Sequence, residues 1–239
     1  MKAPPRKSGS SGVSWTRRQF LSPLSRRWSS APEKIQADRE PVRIQAAPLT
    51  DAAWRTLLGG AVTGPYARGK EGLLVRHFFR DAQDGVFVDA GCADPEENSG
   101  TCYLERYLGW SGLAVDRRDL EEPWRRARRN SRFLRATLGG PDQLGSTLDR
   151  VLEARALEAG GPEDMGLGAL DFLSISLGGG ELPVLKGFDL GRYRPRLIKI
   201  ACGPGQRVPT RDYLELLGYS MILDYRPLDK IHRYFAPER

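Results

Sequence analysis

From about residue 50 onward, the apolar positions of the chain alternate between helix-like stripes and short continuous runs. Ala52 to Leu58 reads as a short helix that stops at Gly59-Gly60, and Glu71 to Phe79 as an amphipathic one with Leu73, Leu74, His77 and Phe78 near one stripe. Gly85-Val86-Phe87-Val88-Asp89 is an apolar run ending at Ala90-Gly91-Cys92, the pattern of a buried strand followed by a turn. Further strands are expected over Leu113 to Asp116, Leu170 to Ser176, Arg196 to Ile200, Tyr219 to Leu223 and Ile231 to Phe235. Helices are expected over Thr101 to Leu108, Pro123 to Asn130, Ser146 to Glu158, Glu181 to Gly187 and Thr210 to Leu217, the last closed by Gly218. No strand is legible in the short segment between Phe133 and Leu148. Strands alternating with helices imply an α/β fold, a doubly wound parallel sheet with helices on both faces.

Residues 1–45 break this pattern. They are rich in Ser, Pro and Arg without periodic apolar residues, which implies a disordered basic tail ahead of a single domain over residues 46–239. The tail also changes the meaning of the net charge of +7: residues 1–32 hold seven basic side chains and no acid, and without them 30 Lys and Arg face 30 Asp and Glu. The domain therefore offers no global attraction for a polyanion, and no nucleic-acid partner is expected. The run Trp124-Arg125-Arg126-Ala127-Arg128-Arg129-Asn130 reads as a solvated helix face. Arg17-Arg18 looks like a twin-arginine signal, but Ser22-Pro23-Leu24-Ser25-Arg26-Arg27 stands where export requires an apolar core. An organellar transit peptide is the other targeting reading of the tail, and a cytoplasmic location is the expectation without one. No stretch approaches the ~20 apolar residues of a membrane helix, so no membrane partner is expected. Three cysteines, Cys92, Cys102 and Cys202, are too few for a disulfide framework, and no spacing of Cys with His77 or His232 points to zinc.

The chemistry-bearing pattern is a strand ending in Asp89, a glycine at Gly91 and a second strand ending in Asp116. Such a turn needs a residue without a side chain where backbone approaches a ligand, and an acid closing the neighbouring strand can accept hydrogen bonds from both hydroxyls of a ribose. Gly91-Cys92-Ala93-Asp94 lacks the full GxGxxG fingerprint, which disfavours a dinucleotide and favours a nucleoside ligand without phosphates, such as S-adenosylmethionine. A tight turn beside a surface aspartate is the plain structural alternative.

The runs Pro65-Tyr66-Ala67-Arg68-Gly69-Lys70-Glu71-Gly72-Leu73-Leu74 and Asp84-Gly85-Val86-Phe87-Val88-Asp89-Ala90-Gly91-Cys92-Ala93-Asp94 resemble the opening of the FkbM family of S-adenosylmethionine-dependent methyltransferases. The likeness continues through Asn98-Ser99-Gly100-Thr101-Cys102-Tyr103-Leu104-Glu105, Leu108-Gly109-Trp110-Ser111-Gly112-Leu113-Ala114-Val115-Asp116, Val184-Leu185-Lys186-Gly187-Phe188-Asp189 and Tyr234-Phe235-Ala236-Pro237. It implies a class I methyltransferase (Rossmann-like) fold, a mostly parallel seven-stranded sheet whose last strand is antiparallel. It also implies S-adenosylmethionine as cofactor, with Asp89, Gly91, Cys92 and Asp116 at the pocket, and a small-molecule or sugar hydroxyl as methyl acceptor.

The chain departs from that family where acids are expected. The usual Ile-Asp-Val-Glu-Gly run is here Ile175-Ser176-Leu177-Gly178-Gly179, and Ala201-Cys202-Gly203 follows the fifth strand where an acid commonly stands. Arg68 and Lys70 replace Gln and Glu of the tyrosine segment. Without those oxygen ligands no metal is expected, and no catalytic residue is assigned. A degenerate family member acting as a binding or scaffold module is the alternative reading. His232 near the last strand is a candidate base, His77 reads as a packing residue, and Glu181 as a carboxylate favouring a helix amino end. Trp110 and Tyr103 read as packing groups, and nothing near Cys92 implies an activated thiol.

Overall fold

The computed structural model describes residues 49–60, 70–159 and 170–238. The basic tail expected over residues 1–45 and residues 65–69 of the tyrosine segment lie outside them. Seven strands, β1 (Val86–Ala90), β2 (Ser111–Asp116), β3 (Ser131–Arg135), β4 (Phe172–Ile175), β5 (Leu197–Ala201), β6 (Tyr219–Met221) and β7 (His232–Pro237), form one sheet in the order β3-β2-β1-β4-β5-β7-β6. β7 runs antiparallel to both β5 and β6, and the other pairs are parallel. This is the mostly parallel, seven-stranded α/β sheet with an antiparallel last strand that the resemblance implies, wound in two directions from β1 and β4.

The parallel strands are apolar on both faces because helices cover both. On one face Val88, Leu173, Ile198 and Phe235 lie in register and pack with α5 (Leu148–Ala159), α6 (Glu181–Lys186), α7 (Leu190–Tyr193) and α8 (Arg207–Leu216). On the other, Phe87, Phe172 and Leu197 pack with Leu74, Val75 and Phe79 of α2 (Glu71–Phe79) and with Leu104 and Leu108 of α3 (Cys102–Leu108). Each such fully buried side chain contributes about 1.5–3 kcal/mol by transfer from water. α1 (Asp51–Gly59) starts at Thr50, whose hydroxyl accepts the Ala53 amide, and is pinned to α2 by buried Trp54 edge-on to His77 at 5.5 Å.

Two expectations are corrected. A third strand does follow β2: Ser131–Arg135 pairs with it over Gly112 to Asp116. It escaped the pattern because it is an edge strand, with Phe133 and Leu134 only half-buried between exposed Arg132 and Arg135. The helix expected to reach Asn130 is α4 (Glu121–Ala127), which ends as Arg128 turns to extended backbone (φ −121°, ψ 132°). Its basic run is not uniformly solvated. Arg125 and Arg126 pair with Glu122 at the surface, whereas Arg128 is 4% exposed. Among the described residues no helix is long and apolar enough to cross a membrane.

Candidate cofactor and acceptor site

The strand order reverses between β1 and β4, and the carboxyl ends of strands flanking such a reversal open a crevice where ligands bind in α/β sheets. Gly91 sits there with φ +82°. A Cβ added to it would lie 2.2 Å from the Ser176 carbonyl oxygen, so the turn can pass β4 this closely only because residue 91 has no side chain. The turn is tied on both sides: the Gly91 amide donates to Val115 O at 2.8 Å, and the Ser176 amide donates to Ala90 O at 2.8 Å.

Asp116, the last residue of β2, lies beside that turn and receives the Ala93 amide at 3.3 Å. Its carboxylate is also gripped by Arg118, through the backbone amide at 2.9 Å, Nε at 3.1 Å and Nη2 at 3.0 Å. Burial alone would raise the Asp116 pKa, but the Arg118 hydrogen bonds and charge and the Ala93 amide outweigh it, and the group sits below its ordinary value. It is therefore an anion, as a ribose acceptor must be. The Arg118 side chain is 54% exposed and can leave for solvent.

Asp89 supports the turn from beneath. Its carboxylate is buried and accepts the Thr101 hydroxyl at 3.2 Å. Thr101 in turn receives Arg128 Nη2 at 3.2 Å, while Arg128 Nη1 donates to Pro95 O and Ser99, and Nε pairs with Glu105 at 2.7 Å. Glu105 also accepts the Arg129 and Asn130 amides and the Ser131 hydroxyl. One buried guanidinium thus binds the loop of residues 92–101 to the start of β3. Cys92 is buried against Ala114 and Trp124, and burial together with Asp89 and Asp116 pushes its thiol far up, so it stays protonated.

A second polar cluster, only partly legible in the sequence, occupies the carboxyl ends of β4 and β5 and the start of β7. Cross-strand register sets Asp89, Ser174, Lys199 and Tyr234 in one row. Lys199 Nζ pairs with Glu71 at the start of α2 at 2.7 Å. Burial would lower the lysine's pKa, but the charges of Glu71, Asp89 and Asp229 more than offset it, so the ammonium persists. Beside this pair stands His232. Its Nδ1 is 2.9 Å from Asp229 Oδ2, and its Nε2 is 3.5 Å from Ser176 Oγ and 3.7 Å from Glu71 Oε2. Asp229 also accepts the Ile231 and His232 amides and the Tyr234 hydroxyl. Burial would raise its pKa, but these hydrogen bonds and His232 hold it well below the usual carboxylate range.

The structure thus brings Gly91, Cys92 and Asp116 together at the crevice and sets Asp89 under it. Sequence reasoning singled out His232 and missed Asp229, Glu71 and Lys199. The available signals were the Asp229-x-x-His232 spacing and a lysine inside the apolar run Leu197-Ile198-Lys199-Ile200. Other candidates have structural roles. His77 Nδ1 meets the Tyr225 hydroxyl at 2.7 Å, and Trp110 Nε1 donates to Ala82 O at 2.7 Å. Tyr103 lies under the Arg76 guanidinium at 4.0 Å. Glu181, the first residue of α6, turns back to accept the Leu177 and Gly179 amides at 3.1 and 2.9 Å.

No protein-family model matches the sequence, and no curated protein does. Among solved structures the chain is similar to precorrin-6y C5,15-methyltransferase from Geobacter metallireducens GS-15, at 13% identity and TM-score 0.47, over 75% of this chain and 94% of that one. It is similar to the methyltransferase domain of METTL16 at 14% identity and TM-score 0.46, over 69% of this chain and 64% of that one. A third is an S-adenosylmethionine-dependent methyltransferase from Geobacter sulfurreducens in complex with S-adenosyl-L-homocysteine, at 13% identity and TM-score 0.40, over 71% of each chain.

Proposed function

We propose that the protein is an S-adenosylmethionine-dependent methyltransferase of FkbM type that methylates a hydroxyl oxygen of a small molecule or sugar. The observation that carries this reading is the Gly91 turn pressed against Ser176 at the sheet's point of reversal, with the Asp116 carboxylate beside it. Gly91 lets the turn sit tight against β4 at the crevice, and Asp116 would hold the two ribose hydroxyls once Arg118 swings to solvent. Residues 92–101 separate the turn from α3, so no helix amino end abuts it to cradle a pyrophosphate. A phosphate-free nucleoside fits these residues better than a dinucleotide. When bound, S-adenosylmethionine supplies an electrophilic methyl group on its sulfur. The chain's own task is then to hold the acceptor oxygen in line with that methyl and shield it from water. Nucleic acid and membrane are not among the proposed partners.

The replacement of the family acids by Ser176 and Gly178 favours a second reading, a methyltransferase-fold binding module without turnover. A thermal-shift comparison separates cofactor classes. At one hundred times its Kd a ligand stabilises the native state by about 2.7 kcal/mol, so S-adenosylmethionine and S-adenosylhomocysteine should raise Tm by several degrees while NAD and ATP leave it unchanged. Stabilisation by NAD alone contradicts the proposal.

A further inference from the structure

The geometry points to His232 as the general base of the acceptor site, oriented by Asp229 and set against the paired Glu71 and Lys199, so that the acceptor is a neutral hydroxyl that must lose its proton. This inference rests on the methyltransferase reading above.

The placement comes first. β7 runs antiparallel, so its first residue, His232, pairs with Ala201 at the carboxyl end of β5 and reaches the crevice edge of the sheet. Its Nε2 faces Ser176 Oγ at 3.5 Å, and the Ser176 carbonyl is the atom that presses against Gly91. The imidazole is therefore one residue away from the turn assigned to the cofactor. Beyond Ser176 the floor is open: Gly178, Gly179 and Gly180, all at positive φ, have no atom within 4 Å of an added Cβ.

The protonation pattern follows from the neighbours. The Asp229 carboxylate accepts at Nδ1, so the proton of neutral His232 resides there and the lone pair is on Nε2, toward Ser176. Such an orienting carboxylate is the role a third group plays for a catalytic imidazole. Every charged group facing the ring has a partner of its own. Lys199 neutralises Glu71, and Arg233 Nη1 is bound to the Asp229 and His232 carbonyls. When Nε2 takes a proton, the new N–H faces Glu71 Oε2 at 3.7 Å, so the imidazolium forms between two carboxylates. In the transfer the acceptor oxygen forms a C–O bond to the methyl carbon as the sulfur–methyl bond breaks. The bonding pair stays on sulfur, and the acceptor proton passes to His232 Nε2. A base whose lone pair is on Nε2 serves an acceptor that has a proton to give up, which makes a neutral hydroxyl the substrate class. The acids absent at Ser176 and Gly178 are thus replaced by a base from the other end of the sheet.

The test uses the whole 239-residue chain, which contains two histidines. Nitrogen-15 NMR of histidine-labelled protein, with the His232 signal identified by its loss in His232→Gln, should show the neutral ring with its proton on Nδ1 and a bare Nε2. Methyl transfer is read as S-adenosylhomocysteine release with catechol and methyl glucoside as acceptors. His232→Gln should lower transfer about 10²–10⁴-fold with S-adenosylmethionine affinity unchanged within about twofold. Asp229→Asn, which keeps the histidine, should shift the pH limb of transfer. A doubly protonated His232 up to pH 9 overturns the proposal. So does His232→Gln turnover at the wild-type rate, or cofactor binding with no transfer to either hydroxyl compound. Failure of the wild-type protein to bind S-adenosylmethionine overturns the cofactor reading itself, and the base with it.

Discussion

Asp116 receives four hydrogen bonds, three of them from Arg118, and this single side chain ties the cofactor reading to a measurable competition. The arginine is half exposed, and pairs of that kind are worth ~0–1 kcal/mol, so removing it frees the carboxylate at little cost. Arg118→Ala should therefore tighten S-adenosylmethionine binding by up to about fivefold in a calorimetric titration, and weaker binding would show that Arg118 contacts the ligand instead. Gly91→Ala places a methyl group 2.2 Å from the Ser176 carbonyl at a φ of +82°, and should lower stability by roughly 1–3 kcal/mol in urea unfolding. Gly91 and Asp116 were legible because a strand-ending acid and a side-chain-free turn are local patterns. The Asp229–His232 pair was half legible, since they stand three positions apart, but its meaning depends on Ser176 and Glu71, which only the sheet register brings alongside.

Arg128 shows why one element boundary and one role were misjudged. As part of a basic run it read as surface, yet it leaves α4, enters the interior and binds Glu105, Pro95, Ser99 and Thr101. Nothing in local composition distinguishes it from Arg125 and Arg126, which stay outside with Glu122. Arg128→Met leaves Glu105 buried without its counter-charge and should cost about 3–5 kcal/mol in urea unfolding, whereas Arg126→Met should change stability by under about 0.5 kcal/mol. Equal effects would refute the buried role. β3 was hidden for a related reason: half-buried edge strands carry charged residues that blur the apolar run. The segment leading into β7 carries a pH signature. The folded-state pKa of Asp229 lies below its ordinary 3.8, so its contribution is present above that value and is lost as pH falls through the folded one. Asp229→Asn should then be less stable than the parent at pH 7 in urea unfolding, with the gap closing below about pH 4. A gap independent of pH would contradict the assignment.

At the scale of the whole molecule, the order of strands and helices was legible almost throughout. Parallel strands covered on both faces read as apolar runs, unbroken in Val86-Phe87-Val88 and interrupted only by Ser174 in Phe172 to Ile175 and by Lys199 in Leu197 to Ile200. The winding outward from β1 and β4 places Gly91, Asp116, Ser176 and His232 at the carboxyl-end side of the parallel strands. What no local pattern carries is which side chains meet at that edge across 128 residues, as Lys199 and Glu71 do. The charge excess confined to residues 1–32 leaves the rest of the chain balanced, which fits a phosphate-free nucleoside ligand better than a polyanion. The most direct test of that claim is a calorimetric titration of the whole chain with S-adenosylmethionine beside its Asp116→Ala variant. Micromolar binding that weakens at least tenfold in the variant is expected. No binding up to millimolar cofactor, or equal binding by both proteins, would contradict it.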